Sequence, residues 1–138
     1  MQWVIYALLG AFFAALTSIL AKIGLEKIDS NLATGIRTVV VLFMAWVIVF
    51  VTGKQHEIIA VSQKNWLFLV LSGCTTGLSW LFFFKALQIG EASKVIPIDK
   101  FSVVISMVLA FLVLGETADF KTVTGGLLIT IGTLVLIL

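Results

Sequence analysis

Residues 3–21 contain no charged side chain, and that stretch limits what the chain can be. As a helix it would reach roughly 28 Å, close to the ~30 Å hydrocarbon core of a bilayer. Four more stretches have the same character. Residues 32–51 are interrupted only by Arg37, and 66–87 only by Lys85. Residues 95–114 hold Asp99 and Lys100, and 122–138 are uncharged. A membrane barrel needs strands that alternate apolar and polar residues. The run Val39, Val40, Val41, Leu42, Phe43, Met44 does not alternate. Backbone groups in lipid must be bonded within their own segment or in a closed sheet, which leaves helices. Apolar residues make up 61% of the 138 and charged ones 12%, about half the usual ~25%. A water-soluble domain of this size cannot bury so much apolar side chain, and a disordered chain would be far more polar. The expectation is an all-α integral membrane protein with five transmembrane helices in one domain, residues 1–138.

The connections are short and polar. Ser30 or Asn31 is expected to cap the second helix. Gly90 suits the end of the third, and Pro97 the first turn of the fourth. No Lys or Arg precedes the first apolar run, so it reads as a retained span and not a cleaved signal. Loop cations number three on one face (Lys54, Lys64, Lys121) and two on the other (Lys27, Lys94). Counting the embedded or boundary Lys22, Arg37, Lys85 and Lys100 makes it three against six. This leans toward a cytoplasmic first and third loop, and the weak bias is compatible with insertion in both orientations.

The embedded charges are informative because ionisable groups at mid-bilayer are expensive, ~2.5–3.5 kcal/mol on insertion scales. Arg37, Lys85, Asp99 and Lys100 all fall one or two turns inside the same face, with Lys22 and Glu26 at its boundary. The long cations have a bland reading, snorkelling to the interface. Asp99 is too short for that and needs a cavity or a cation. Lys100 points ~100° away around a regular helix, at 3.6 residues per turn, so Lys85 or Arg37 is the expected partner. Asp99, Ser102 and Ser106 share a helical face, as do Ser72, Thr75, Thr76 and Ser79, while Thr17 and Ser18 lie near the end of the first span. With Trp80, these hydroxyls either line a cavity for a small, partly polar molecule or serve as packing contacts between helices. Gly73 and Gly77 form a GxxxG pair, and Gly10, Ala14 and Ser18, like Gly126 and Thr130, form small-residue ridges that mark close packing.

Several chemistries are excluded. His56 is the single histidine and Cys74 the single cysteine, so there is no metal ligand set, no intrachain disulfide and no nucleophile–base constellation. No phosphate-binding loop is present, so the chain cannot itself be driven by nucleotide hydrolysis. A net charge of +2 without a basic run argues against nucleic acid. No cofactor is expected.

Residues 77–101, including Gly77, Trp80, Lys85, Gly90, Glu91, Pro97 and Asp99, resemble the EamA repeat of the drug/metabolite transporter superfamily. So do Leu112, Val113, Leu114, Gly115 and Glu116, the later Gly125, Gly126 and Gly132, and Arg37. The resemblance covers nearly the whole chain. It implies a multi-pass carrier of small metabolites in the cell (inner or cytoplasmic) membrane, working by alternating access. Most relatives carry two inverted repeats in ten spans. This single-repeat form would then be half of an inverted-repeat transporter, completed by a homodimer, antiparallel if both orientations insert. The small multidrug-resistance relatives use an embedded glutamate in the first span, and residues 3–21 hold none. Export of cationic drugs by that route is therefore not expected. The cations favour an anionic, zwitterionic or amino-acid-like solute. The substrate-binding candidates are Arg37, Ser72, Thr76, Ser79, Trp80, Lys85, Asp99, Lys100, Ser102 and Ser106. The alternative is a non-transporting membrane subunit of a larger assembly.

Overall fold

The computed structural model describes residues 2–138. Among them there is no strand, and five helical stretches are long and apolar enough to cross a bilayer. The chain divides into two compact units, residues 1–88 and 89–138.

The first unit holds α1 (Gln2–Gly24), α2 (Ser30–Val51) and most of α3 (Gln63–Ile89). A 3₁₀ segment, Lys54–Ala60, lies between the last two. Asp29 caps α2: its Oδ1 accepts from the backbone N–H of Asn31 at 2.9 Å and of Leu32 at 3.2 Å. The expected caps, Ser30 and Asn31, are instead the first helical residues. Asp, Ser and Asn rank almost equally at this position, so composition alone could not choose among neighbours. The α2 end turns on Gly53 at φ 69°, left-handed backbone that favours glycine. Polar ties join the helices near the α1–α2 loop. Lys22 Nζ donates to the Leu87 carbonyl at 2.7 Å, and Gln88 Nε2 donates to the Ile28 carbonyl at 2.7 Å. Leu87 lies in the last turn of α3, where carbonyls lack an intrahelical donor and a cation is favoured.

The second unit holds α4 (Ala92–Asp99), α5 (Ser102–Leu109), a π segment (Ala110–Leu114) and α6 (Phe120–Ile137). The fourth span is therefore not the single regular helix expected over 95–114. Pro97 is not in the first turn, because α4 begins at Ala92. It has no N–H to give the carbonyl four residues back, and helical order stops two residues later. Through the break the bonding tightens to i→i−3, with Phe101 N–H on Ile98 O, Val103 N–H on Lys100 O and Val104 N–H on Phe101 O, each at 3.0 Å. The far end closes on Gly115 at φ 68°. Asp119 caps α6, its Oδ1 accepting from Thr122 N–H at 2.9 Å. Helix α6 packs along α4 and α5. Gly126 is buried there, and a Cβ added to it would lie 3.3 Å from Met107 Sδ.

Among the described residues the buried apolar side chains are Ala21, Leu25, Phe84 and Leu87. Most others point outward, as Phe43 and Leu128 do. In water that surface would drive aggregation. In lipid it is the face a spanning helix should present.

Candidate functional site

Three helices of the first unit converge on one cavity of about 360 Å³. Thr17, Leu20, Ala21 and Gly24 come from α1, Ala33, Ile36 and Arg37 from α2, and Phe84 from α3, with Leu25 and Ile28 from the connecting loop. Arg37 is the eighth residue of α2, so it sits about 10 Å along the helix from its start. Thr17 lies as far from the end of α1, and Phe84 somewhat nearer the end of α3. The cavity thus occupies the first two turns below the α1–α2 loop, where the sequence places its embedded cations.

Arg37 is the only charged residue in this lining. Its guanidinium carbon lies 4.2 Å from the centre of the Phe84 ring and 6.0 Å from that of Trp80. Phe84 is 2% exposed, which makes the ring a fixed platform. Within the first unit no carboxylate pairs with Arg37, and its Nη1 is enclosed without a hydrogen-bond partner. The Thr34 hydroxyl, one turn earlier, donates to Ser30 O at 2.7 Å, so it does not serve as a donor into the cavity.

A second hollow, a groove of about 460 Å³, lies between α2 and α3. Ser72, Thr76 and Trp80 line it with Thr38, Gly73 and Gly77, and Ser79 and Thr75 fall outside this lining. Thr75 and Thr76 both donate to the Ser72 carbonyl, at 2.9 and 2.8 Å, and Thr38 donates to Thr34 O at 2.8 Å. All three hydroxyls spend their protons on their own helix, so Thr38 and Thr76 offer the groove only lone pairs. Among the described residues the GxxxG glycines mark no close contact: a Cβ on Gly73 or Gly77 would meet nothing within 4 Å. Close packing of that kind occurs at Gly126 instead.

The other candidates sit differently from their expectation. Asp99 pairs with its neighbour Lys100, Nζ to Oδ2 at 3.4 Å, although a regular helix would point the two apart. The 100° argument assumed a regular helix, and the helix ends between these two residues, where a long lysine stem can fold back. Lys85 is exposed and donates to Gln88 Oε1 at 3.4 Å. Ser102 and Ser106 are exposed on α5, so the face they were to share with Asp99 is cut by the break. Lys22 and Glu26 line a smaller recess of about 220 Å³ with Leu25 and Gln88. The residue missed from sequence is Phe84. Its signal was present: it follows Trp80 by four positions, so the two rings share a helical face.

Five apolar helices, a broken fourth span and hollows lined mostly by apolar side chains are the features of a multi-pass membrane protein. The comparisons agree. The chain belongs to the EamA-like transporter family, which matches residues 1–138. It is 44% identical over 135 residues to an uncharacterized transporter in the cobO 3′ region of a Sinorhizobium species, covering 98% of this chain and 96% of that one. It is 28% identical over 135 residues to an uncharacterized transporter of Synechocystis, covering 92% of this chain but 37% of that one. No solved structure matches it.

Proposed function

We propose that the protein is a secondary transporter of small solutes in the cytoplasmic membrane, working by alternating access as a homodimer. The observation that carries this reading is the near end-to-end likeness to a chain described as a transporter. The dimer is supported by the longer Synechocystis relative, of which this chain covers 37%. The additional chain there is what a second copy would supply here, as in carriers built from paired inverted repeats. Arg37, Ser72, Thr76 and Trp80, around two hollows, are the residues assigned first to the solute. Lys85, Asp99, Lys100, Ser102 and Ser106 are assigned to its path.

The test is counterflow from vesicles loaded with small solutes of each charge class. Mass spectrometry reads which solutes are depleted relative to protein-free vesicles. Depletion of at least one solute is expected, together with a homodimer by native mass spectrometry from the same preparation. Folded protein that depletes nothing, or that is isolated with a stoichiometric partner of different sequence, refutes the reading. The second result would identify a subunit of a larger assembly.

A further inference from the structure

We infer that the cavity at Arg37 binds a small organic monoanion, a carboxylate with an apolar body, through the Arg37 guanidinium. This deepens the carrier reading and rests on it only for the consequence that the bound molecule is cargo.

The argument starts from what the cavity lacks. A guanidinium keeps its charge in proteins and presents several N–H donors in a flat fork. Here one face lies over Phe84, and Nη1 is enclosed without an acceptor. The ten lining residues include no carboxylate, and none within the first unit pairs with Arg37. An enclosed, unpaired donor on a charged group is costly unless something supplies the acceptor. A carboxylate matches the fork in shape and cancels the charge.

The rest of the lining selects among anions. Apart from Arg37 and Thr17 the side chains are aliphatic or aromatic, such as Leu20, Ile36 and Phe84. A dianion would leave one charge uncompensated in apolar surroundings. An amino acid would bring an ammonium group for which the lining has no carboxylate, only the Thr17 hydroxyl. A cation would meet Arg37 as a like charge. A monocarboxylate with a compact apolar body satisfies both parts of the cavity. At ~30 Å³ per water-sized group, 360 Å³ holds roughly a dozen such groups, enough for an aromatic or short branched acid. A lipid headgroup phosphate offers the same anionic oxygens, and the experiment separates it from a free carboxylate.

Trp80, 6.0 Å from Arg37, supplies the readout. The full chain carrying Trp3→Phe, Trp46→Phe and Trp66→Phe keeps Trp80 as its one indole. In phosphatidylcholine vesicles, phenylacetate should shift the Trp80 emission saturably, and phenethylammonium, its cationic counterpart, should not. Arg37→Gln should weaken phenylacetate binding at least tenfold, with Arg37→Lys in between. Ala33→Leu narrows the cavity and should also weaken binding tenfold with Arg37 intact, so a poorly folded Arg37→Gln would not leave the question open. No saturable response, unchanged affinity in either Arg37→Gln or Ala33→Leu, or a response that follows added phosphatidylglycerol and not phenylacetate would each overturn the inference. Binding is read without flux. A protein that moves other solutes but ignores phenylacetate refutes this inference alone, and one that binds phenylacetate but moves nothing refutes the carrier reading alone.

Discussion

Phe84 and Arg37 should be energetically coupled, and the size of that coupling follows from their geometry. The guanidinium carbon is 4.2 Å from the ring centre, well inside the ~6 Å limit for a cation–π contact. Such contacts are worth about 0.5–1 kcal/mol when exposed and about 2 when desolvated. Phe84 is buried and Arg37 half-buried, so the pair falls between those limits. Side-chain couplings measured within membranes average ~0.6 kcal/mol and reach ~1.7. We therefore expect about 1 kcal/mol, a factor of ~5 in the folding equilibrium. A double-mutant cycle of Phe84→Leu and Arg37→Met reads it, because Leu keeps an apolar filler and removes the ring face. The unfolding equilibrium of all four proteins is measured by steric trapping in bicelles. The two changes should cost less together than the sum of their separate costs. Coupling below ~0.3 kcal/mol, the scatter of independent sites, would refute the stacked arrangement.

Lys22→Met should lower stability by about 1.5–3 kcal/mol, as expected for a hydrogen bond from a charged donor, while Lys22→Arg keeps most of it; equal losses in the same assay would show that the Leu87 carbonyl is not the relevant partner. The Asp119 carboxyl is held below the usual carboxylate range by hydrogen bonds from the Thr122 side chain and then its backbone. Its cap therefore contributes fully above the unfolded carboxylate pKa of ~3.9 and is lost as pH falls through the lower folded value. Melting from pH 7 to 3 should show Asp119→Asn retaining the cap but losing that acid-dependent part, and Asp119→Ala weakened already at neutral pH. Gly126→Leu should destabilise by ~1–3 kcal/mol through overpacking against Met107. Gly73→Leu, with open space at its Cβ, should leave the melting midpoint unchanged, and comparable losses in both would contradict the assigned packing.

The five spans were legible because each is set by local composition: every expected boundary lies within three residues of the observed one. Residues 95–114 show the limit of that reasoning. Hydropathy sees an unbroken apolar run, while Pro97 and the charges of Asp99 and Lys100 decide that the helix stops partway. Arg37 stood out in the sequence by its embedded charge and by its place in the EamA resemblance. Its stacking on Phe84 did not, because the contact joins α2 to α3 and depends on how the two helices rotate. The hydroxyl periodicity placed Ser72 and Thr76 on one face. It could not tell that Thr76 gives its proton to its own helix, or that Ser79 lies outside the groove lining.

A cavity one to two turns below the α1–α2 loop, reachable from water and carrying the Arg37 charge, is the feature on which the assignment of the solute site depends. It is tested most directly at Ala33, in the cavity wall with Arg37, by measuring the modification rate of Ala33→Cys in a Cys74→Ser background. Two small water-soluble thiol reagents are compared in vesicles, one anionic and one cationic, each normalised to its rate with free thiol. The anionic reagent should react faster, and Arg37→Gln should abolish that preference. A thiol that neither reagent reaches, or one modified with no preference while Arg37 is in place, would contradict the assignment.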